Sequence, residues 1–280
     1  MPSSWQSGFI NTNDLRLHYT RTGGSKPPLV LAHGVTDDGL CWSPVAAALA
    51  PDYDVIMVDA RGHGLSDAPL EGYGPIEQAD DLAGLITALD LTGPIVLGHS
   101  MGAVTTLVLA ARHPELPRAI ALEDPPPWWN SAFDRPFTLD WQAQMRAWIT
   151  TLQQKLRQAL IDEQRAETPQ WSDAELEPWA DAKLRFSLNF FNRLSDPALD
   201  WPTLLRQVTC PALLIMGDPQ AGALVTQQAA RALKDHVPQL QIAHISGAGH
   251  SIRRYQFDRY LCVVRPFLAE VSARAAASTR

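Results

Sequence analysis

The 280-residue chain reads as an α/β fold: a mostly parallel sheet with helices on both faces, interrupted late by an inserted helical segment. Three observations predict it. Short apolar runs alternate with amphipathic stretches through the first third, as buried parallel strands and crossover helices do. The alternation stops at Pro125-Pro126-Pro127, and from there to about Pro202 the sequence has helical periodicity with no strand. It then resumes and continues to the last helix.

Taken in order, Gly8–Tyr19 is a hairpin turned at Thr12-Asn13-Asp14. Leu29–Ala32, Asp54–Val58 and Ile95–Gly98 are short strands, ending respectively at His33-Gly34, Asp59 and Ser100. Ile76–Leu89 and Ala103–Arg112 have the period of helices, and Ala119–Leu122 runs as a strand into Glu123-Asp124. After the three prolines, helices are expected over Leu139–Leu160, Asp173–Phe191 and Trp201–Val208; seven of the nine tryptophans fall in this part. Ala212–Met216 (strand), Val225–Leu233 (helix), Leu240–Ile245 (strand) and Gln256–Val271 (helix) close the pattern, with Ala273–Arg280 expected to fray. The organisation is therefore a core of residues 1–124 and 206–280 with a helical cap, or lid, of residues 125–205 inserted between them.

Composition narrows the function. Hydrophobic residues make up 46% of the chain, enough for a large core. A net charge of −7 argues against nucleic acid and acidic membranes as partners. Cys41, Cys210 and Cys262 are odd in number and widely spaced, so neither a disulfide framework nor a zinc knuckle is expected. The start MPSSWQSGFI lacks a signal-peptide pattern and no run of 18 apolar residues occurs, so a cytoplasmic location is expected. No metal or cofactor is called for. The expected partner is a small hydrophobic substrate, with a homodimer left open.

In parallel sheets ligands bind beyond the carboxyl ends of the strands, where His33, Asp59, Ser100 and Asp124 all fall. Gly98-His99-Ser100-Met101-Gly102 matches G-x-S-x-G between a strand and a helix. Small flanking residues allow a turn tight enough to lift the Ser100 hydroxyl above the sheet, and the turn places the Met101 N–H at a helix N-terminus, where an oxyanion is stabilised. A second N–H should come from the loop after Leu29–Ala32, with Val35 as its donor. His99, beside the nucleophile, is read as packing or hydrogen bonding. His250, late in the chain in the loop Gly247-Ala248-Gly249-His250 after a strand, is the expected base.

Together these residues resemble the α/β-hydrolase superfamily over essentially the whole chain, which implies an eight-stranded sheet. Asp59-Ala60-Arg61-Gly62-His63-Gly64-Leu65-Ser66 is similar to the D-x-R-G-x-G-x-S segment of its capped members and is read as structural. Serine at position 100 separates the chain from the dehalogenases and epoxide hydrolases of this fold, which use aspartate there. Ser251 stands where C–C bond hydrolases carry tryptophan, a departure that weighs against that reaction.

The resemblance leaves the acid open. Most relatives carry G-x-x-D after the seventh strand, but Met216-Gly217-Asp218-Pro219-Gln220 puts Gln220 in that slot, and an amide does not stabilise an imidazolium comparably. Asp218 stands two residues early. Asp124, after the sixth strand, has a spacing from Ser100 that some relatives use, and Glu123 precedes it. Asp124 is the first expectation, Asp218 the alternative and Glu123 the third. Trp128 and Trp129, nearest Asp124, are the tryptophans expected to face the substrate. The function that follows is hydrolysis of a medium-sized hydrophobic carboxylic ester or lactone through an acyl-enzyme. Cleavage of another bond (amide or C–C) and a non-catalytic receptor on the same scaffold are the alternatives.

Overall fold

The structure is a computed structural model that describes residues 5–130, 139–192 and 199–278. Strands β1 (Gln6–Thr12) and β2 (Leu15–Arg21) form the hairpin, with Asn13 and Asp14 at φ 48° and 59° in its turn. Then come β3 (Pro28–Ala32), α1 (Ser43–Leu49), β4 (Asp54–Val58), α2 (Pro75–Ala88), β5 (Ile95–His99), α3 (Met101–Arg112) and β6 (Ala119–Glu123). Four helices precede the next strand: α4 (Leu139–Gln153), α5 (Arg157–Glu167), α6 (Asp173–Arg185) and α7 (Trp201–Leu205). The chain closes with β7 (Ala212–Met216), α8 (Gln227–His236), β8 (Leu240–His244), α9 (Ile252–Tyr255) and α10 (Phe257–Ser278).

The eight strands lie in the order β1-β2-β4-β3-β5-β6-β7-β8. Pairing is antiparallel from β1 through β2 to β4 and parallel from there on. Strands β4 to β7 are buried at every position, which is why they read as continuous apolar runs rather than as alternation. Alternate residues feed two apolar cores. Val30, Ile56, Val96 and Ile120 pack on α2, α3 and α8; Leu29, Val55, Leu97 and Ala121 pack on α1 and α10.

Several element boundaries differ from expectation. The helix expected over Leu139–Leu160 is two, because Leu156 is extended (φ −68°, ψ 143°). The break folds α5 back on α6, so that Leu152, Leu160, Ile161, Leu176 and Trp179 share one apolar cluster that a continuous helix would disperse. The helix expected over Asp173–Phe191 ends at Arg185, followed by a 3-10 turn at Leu188–Asn192; the one over Trp201–Val208 ends at Leu205. Helix α8 starts later than Val225, because the Thr226 hydroxyl accepts from the Ala229 N–H as its N-cap, and it runs on to His236. The tail expected to fray from Ala273 is helical to Ser278: it is alanine-rich, and Arg274 pairs with Glu270 one turn back. Residues 279–280 of that tail, and 131–138 and 193–198 of the inserted segment, lie outside the described residues. Among the described residues no helix is long and apolar enough to cross a membrane.

Candidate active site

Ser100 joins β5 to α3 at φ 52°, ψ −115°, a backbone region that few residues other than glycine adopt. The surroundings hold it there. Its N–H donates to the Glu123 carbonyl on β6 at 2.9 Å. The two glycines are required by close approach: a Cβ on Gly98 would collide with the Gly102 carbonyl, and one on Gly102 with the carbonyls of Ala32 and His33. The turn leaves the hydroxyl at the carboxyl end of the sheet and the Met101 N–H at the first turn of α3.

There Ser100 Oγ lies 2.9 Å from His250 Nε2, and His250 Nδ1 lies 2.7 Å from Asp124 Oδ2. This is the geometry by which a hydroxyl can lose its proton to an imidazole whose resulting charge faces a carboxylate. His250 comes from the loop after β8, and His99 secures that loop: its Nε2–H donates to the His250 carbonyl at 3.1 Å, with the rings 4.7 Å apart. Burial, with Arg253 and His250 nearby, holds His99 well below the usual histidine pKa, so it stays a neutral donor.

Asp124 is fully buried at φ 43°. Its Oδ2 also accepts from the Leu224 N–H at 2.8 Å, and its Oδ1 from the Val225 N–H at 3.0 Å. The loop after β7, where Gln220 stands exposed, thus contributes backbone donors to a carboxylate that directly follows β6. The other two candidates are occupied elsewhere. Asp218 bonds to His244 Nε2 and the Gly247 N–H, both at 2.6 Å, and those bonds hold its carboxyl below the ordinary range. Glu123 takes the Arg253 backbone N–H at 3.0 Å and its guanidinium at 3.1 Å; burial pushes its pKa up against that cation.

The loop after β3 closes a turn from Gly34 to Asp37, with the Asp37 N–H on the Gly34 carbonyl at 3.2 Å and Thr36 at φ 68°. Gly34 lies against Ser100: a Cβ there would stand 3.2 Å from the Ser100 Cβ. Neither the Val35 nor the Met101 N–H has an acceptor among the described residues, so both remain free to hold an oxyanion beside Ser100. Their side chains enter an apolar cluster with Tyr73, Ile149, Phe186 and Phe190, the last three from the inserted segment. Trp128 lines a narrow cavity with Met101, Val104, Thr105 and Phe190. Trp129 is buried in the main core beside Trp201, its Nε1–H donating to the Ala229 carbonyl at 2.9 Å.

Sequence reasoning missed a buried charge cluster beneath these loops. Asp37 meets Lys183 of α6 at 2.9 Å, Arg254 at 3.2 Å and Arg253 at 3.9 Å, and Arg254 also bonds Glu175 of α6 at 3.0 Å. Burial would raise the Asp37 pKa, but Arg254, Lys183 and Arg253 hold it well below the usual carboxylate range. The available signal was two consecutive arginines directly after the His250 loop. The Asp59–Ser66 segment is a scaffold. Asp59 accepts from Gly39 N–H at 2.7 Å and Leu65 N–H at 2.8 Å, and the Ser66 hydroxyl donates to the Asp59 carbonyl at 2.6 Å. Among the described residues no group of His, Cys, Asp or Glu is placed to hold a metal ion.

Comparison with known proteins agrees with this fold. The model of the Alpha/beta hydrolase family matches residues 29–259. The chain is 28% identical over 276 residues to an N-formylmaleamate deformylase of Pseudomonas putida, covering 93% of this chain and 96% of that one. Among solved structures it resembles an N-formylmaleamic acid deformylase of Pseudomonas putida, with TM-score 0.78, 26% identity and coverage of 92% and 100%. It also resembles the enol-lactonase of Burkholderia xenovorans, with TM-score 0.70, 24% identity and coverage of 94% and 100%.

Proposed function

Because the chain belongs to the alpha/beta hydrolase family, we propose that it is a serine hydrolase acting on a medium-sized hydrophobic carboxylic ester or lactone, with residues 125–205 as its lid. The observation that carries the reading is the bonded series Ser100–His250–Asp124 with Ser100 on a strained turn. Ser100 Oγ attacks the carbonyl carbon while its proton passes to His250 Nε2. The oxyanion is held by the N–H groups of Val35 and Met101, and Asp124 stabilises the imidazolium. His250 gives the proton to the departing alkoxide, leaving an acyl-Ser100. Water then attacks that ester, its proton goes to His250, and the carboxylic acid leaves as Ser100 regains its proton. The apolar cluster of Val35, Met101, Ile149, Phe186 and Phe190, which adjoins the turn at Ser100 through Met101, supports a hydrophobic acyl or alcohol group over a charged one.

A second reading, hydrolysis of an N-formyl or similar amide, is favoured by the similarity to the deformylase of Pseudomonas putida. The same steps apply, with an amine receiving the His250 proton. Fluorophosphonate labelling with mass mapping, beside turnover of p-nitrophenyl esters of graded chain length, lactones and N-formyl amides, tests both. Modification at Ser100 with the highest kcat/KM on esters or lactones is the expected result. Preference for formyl amides selects the second reading. No labelling and no turnover would leave a ligand receptor on a hydrolase scaffold.

A further inference from the structure

We infer that Lys183, carried by the inserted segment, is a positioning residue for the oxyanion hole: it clamps the Gly34–Asp37 turn and so ties the placement of the Val35 N–H to the seating of helix α6. The inference rests on the serine-hydrolase reading of the same site.

Lys183 is 2% exposed and lies near the end of α6. Its ammonium donates to the Thr36 carbonyl at 2.8 Å and to Asp37 Oδ1 at 2.9 Å. Both acceptors belong to the turn that carries Val35. That turn does not hold itself: its only internal bond is a long one, Asp37 N–H to the Gly34 carbonyl at 3.2 Å, and Thr36 is a β-branched residue at φ 68°. Such a conformation persists only where neighbours impose it. The charge-assisted bonds from Lys183 supply that constraint at the residue after Val35.

The rest of the cluster shows that the clamp is set against the whole site. Arg254 joins Asp37 to Glu175, so α6 grips the turn at two places. Arg253 joins Asp37 to Glu123, the residue before the triad acid, and both arginines follow His250 within four residues. The three cations Lys183, Arg253 and Arg254 face the three anions Asp37, Glu123 and Glu175, all with side chains no more than 10% exposed. A pair of apolar surfaces would hold a helix down at least as well, since buried ion pairs are weak sources of stability. Ion pairs differ in directing a donor at one particular carbonyl.

The test compares wild type, Lys183→Met and the charge-balanced double variant Asp37→Asn/Lys183→Met. Three readouts are taken: the rate of Ser100 phosphonylation, kcat and KM on the best ester, and the melting temperature. Phosphonylation builds negative charge on an oxygen in the oxyanion hole and does not depend on knowing the natural substrate. Lys183→Met is expected to slow phosphonylation and lower kcat by about 10- to 100-fold, below the loss of a direct oxyanion donor, with KM within about twofold. The double variant should recover melting temperature but not the phosphonylation rate. A folded Lys183→Met that labels within about twofold of wild type overturns the inference. So does a double variant that recovers rate and melting temperature together, because charge balance alone would then explain Lys183. Should Lys183→Met fail to fold, the double variant decides by the same rate. A wild-type Ser100 that does not label overturns the hydrolase reading itself, an outcome distinct from the others.

Discussion

Among the described residues there are two Ser-His-Asp chains of hydrogen bonds. In one, Ser100, His250 and Asp124 are linked at 2.9 and 2.7 Å. In the other, on the hairpin edge of the sheet, Ser7 Oγ lies 2.6 Å from His18 Nε2 and His18 Nδ1 lies 2.8 Å from Asp59 Oδ2. The same atoms meet in the same order, and distance alone does not rank them. What surrounds them does. Ser100 sits at φ 52° before a helix, against Gly34 of the turn that carries Val35, and the side chain of the next residue, Met101, packs among apolar residues of the inserted segment. Ser7 is exposed as the second residue of extended β1, paired with Thr20, with no helix beginning after it. The lesson is that a triad supplies proton transfer only. In the proposed mechanism the strained turn, the Val35 and Met101 N–H groups and the apolar surroundings supply the rest, and oxyanion stabilisation is commonly the larger part of the rate.

Four predictions bear on that contrast, the largest first. Ser100→Ala should lower ester hydrolysis by about 10⁴-fold or more with the fold intact, while Ser7→Ala stays within about twofold of wild type. Steady-state rates on both purified variants check this, and a comparable loss in Ser7→Ala would break the contrast outright. His250→Ala should cost nearly as much as Ser100→Ala, and the double variant little more, because the pair acts as a unit. Additive losses would mean that the 2.9 Å bond is not used in the reaction. Asp124→Asn should lower kcat by about 10²–10⁴-fold through the lost stabilisation of the imidazolium, and Asp218→Asn by no more than a few-fold. The reverse order of these two losses would move the acid to the strand-seven loop. The smallest effect is on selectivity: Trp128→Ala should shift the preferred acyl length across the p-nitrophenyl series while sparing the shortest ester, and Trp129→Ala should lower the melting temperature instead. An unchanged length preference in Trp128→Ala would assign that residue to packing as well.

Much of this was legible in the sequence, and for identifiable reasons. Strands β3 to β7 are buried on both faces, so each is an apolar run with a chemistry-bearing residue at its carboxyl end. Ser100 announces itself because the elbow needs glycine on both sides, and His250 because it follows the last strand among small residues. Gln220 in the usual acid slot pointed away from the strand-seven loop. The donors that fix Asp124, however, are the backbone N–H groups of Leu224 and Val225, which leave no mark in residue type. The direction of a tryptophan is equally silent: Trp128 and Trp129 both pack against the main core near Trp201, and Trp128 in addition lines the cavity beside Met101 and Phe190. The break before α5 involves neither proline nor glycine and is a product of packing among distant residues. The Lys183–Asp37 pair spans 146 residues of chain, beyond any local pattern.

One feature of the connectivity reaches past catalysis. Ser100 and Asp124 directly follow the adjacent strands β5 and β6, whose residues His99 and Glu123 are paired in register, whereas His250 arrives from beyond an exposed turn at Pro219–Ala221. A cut in that turn would divide the protein into two half-enzymes, one with Ser100 and Asp124 and the other with His250. The second half would also carry the Leu224 and Val225 N–H groups that anchor the acid. Each half alone should be silent, and ester hydrolysis would return only when the two find each other. That makes the chain a candidate for a reassembly sensor, in which turnover measures how often two tethered fusion partners meet.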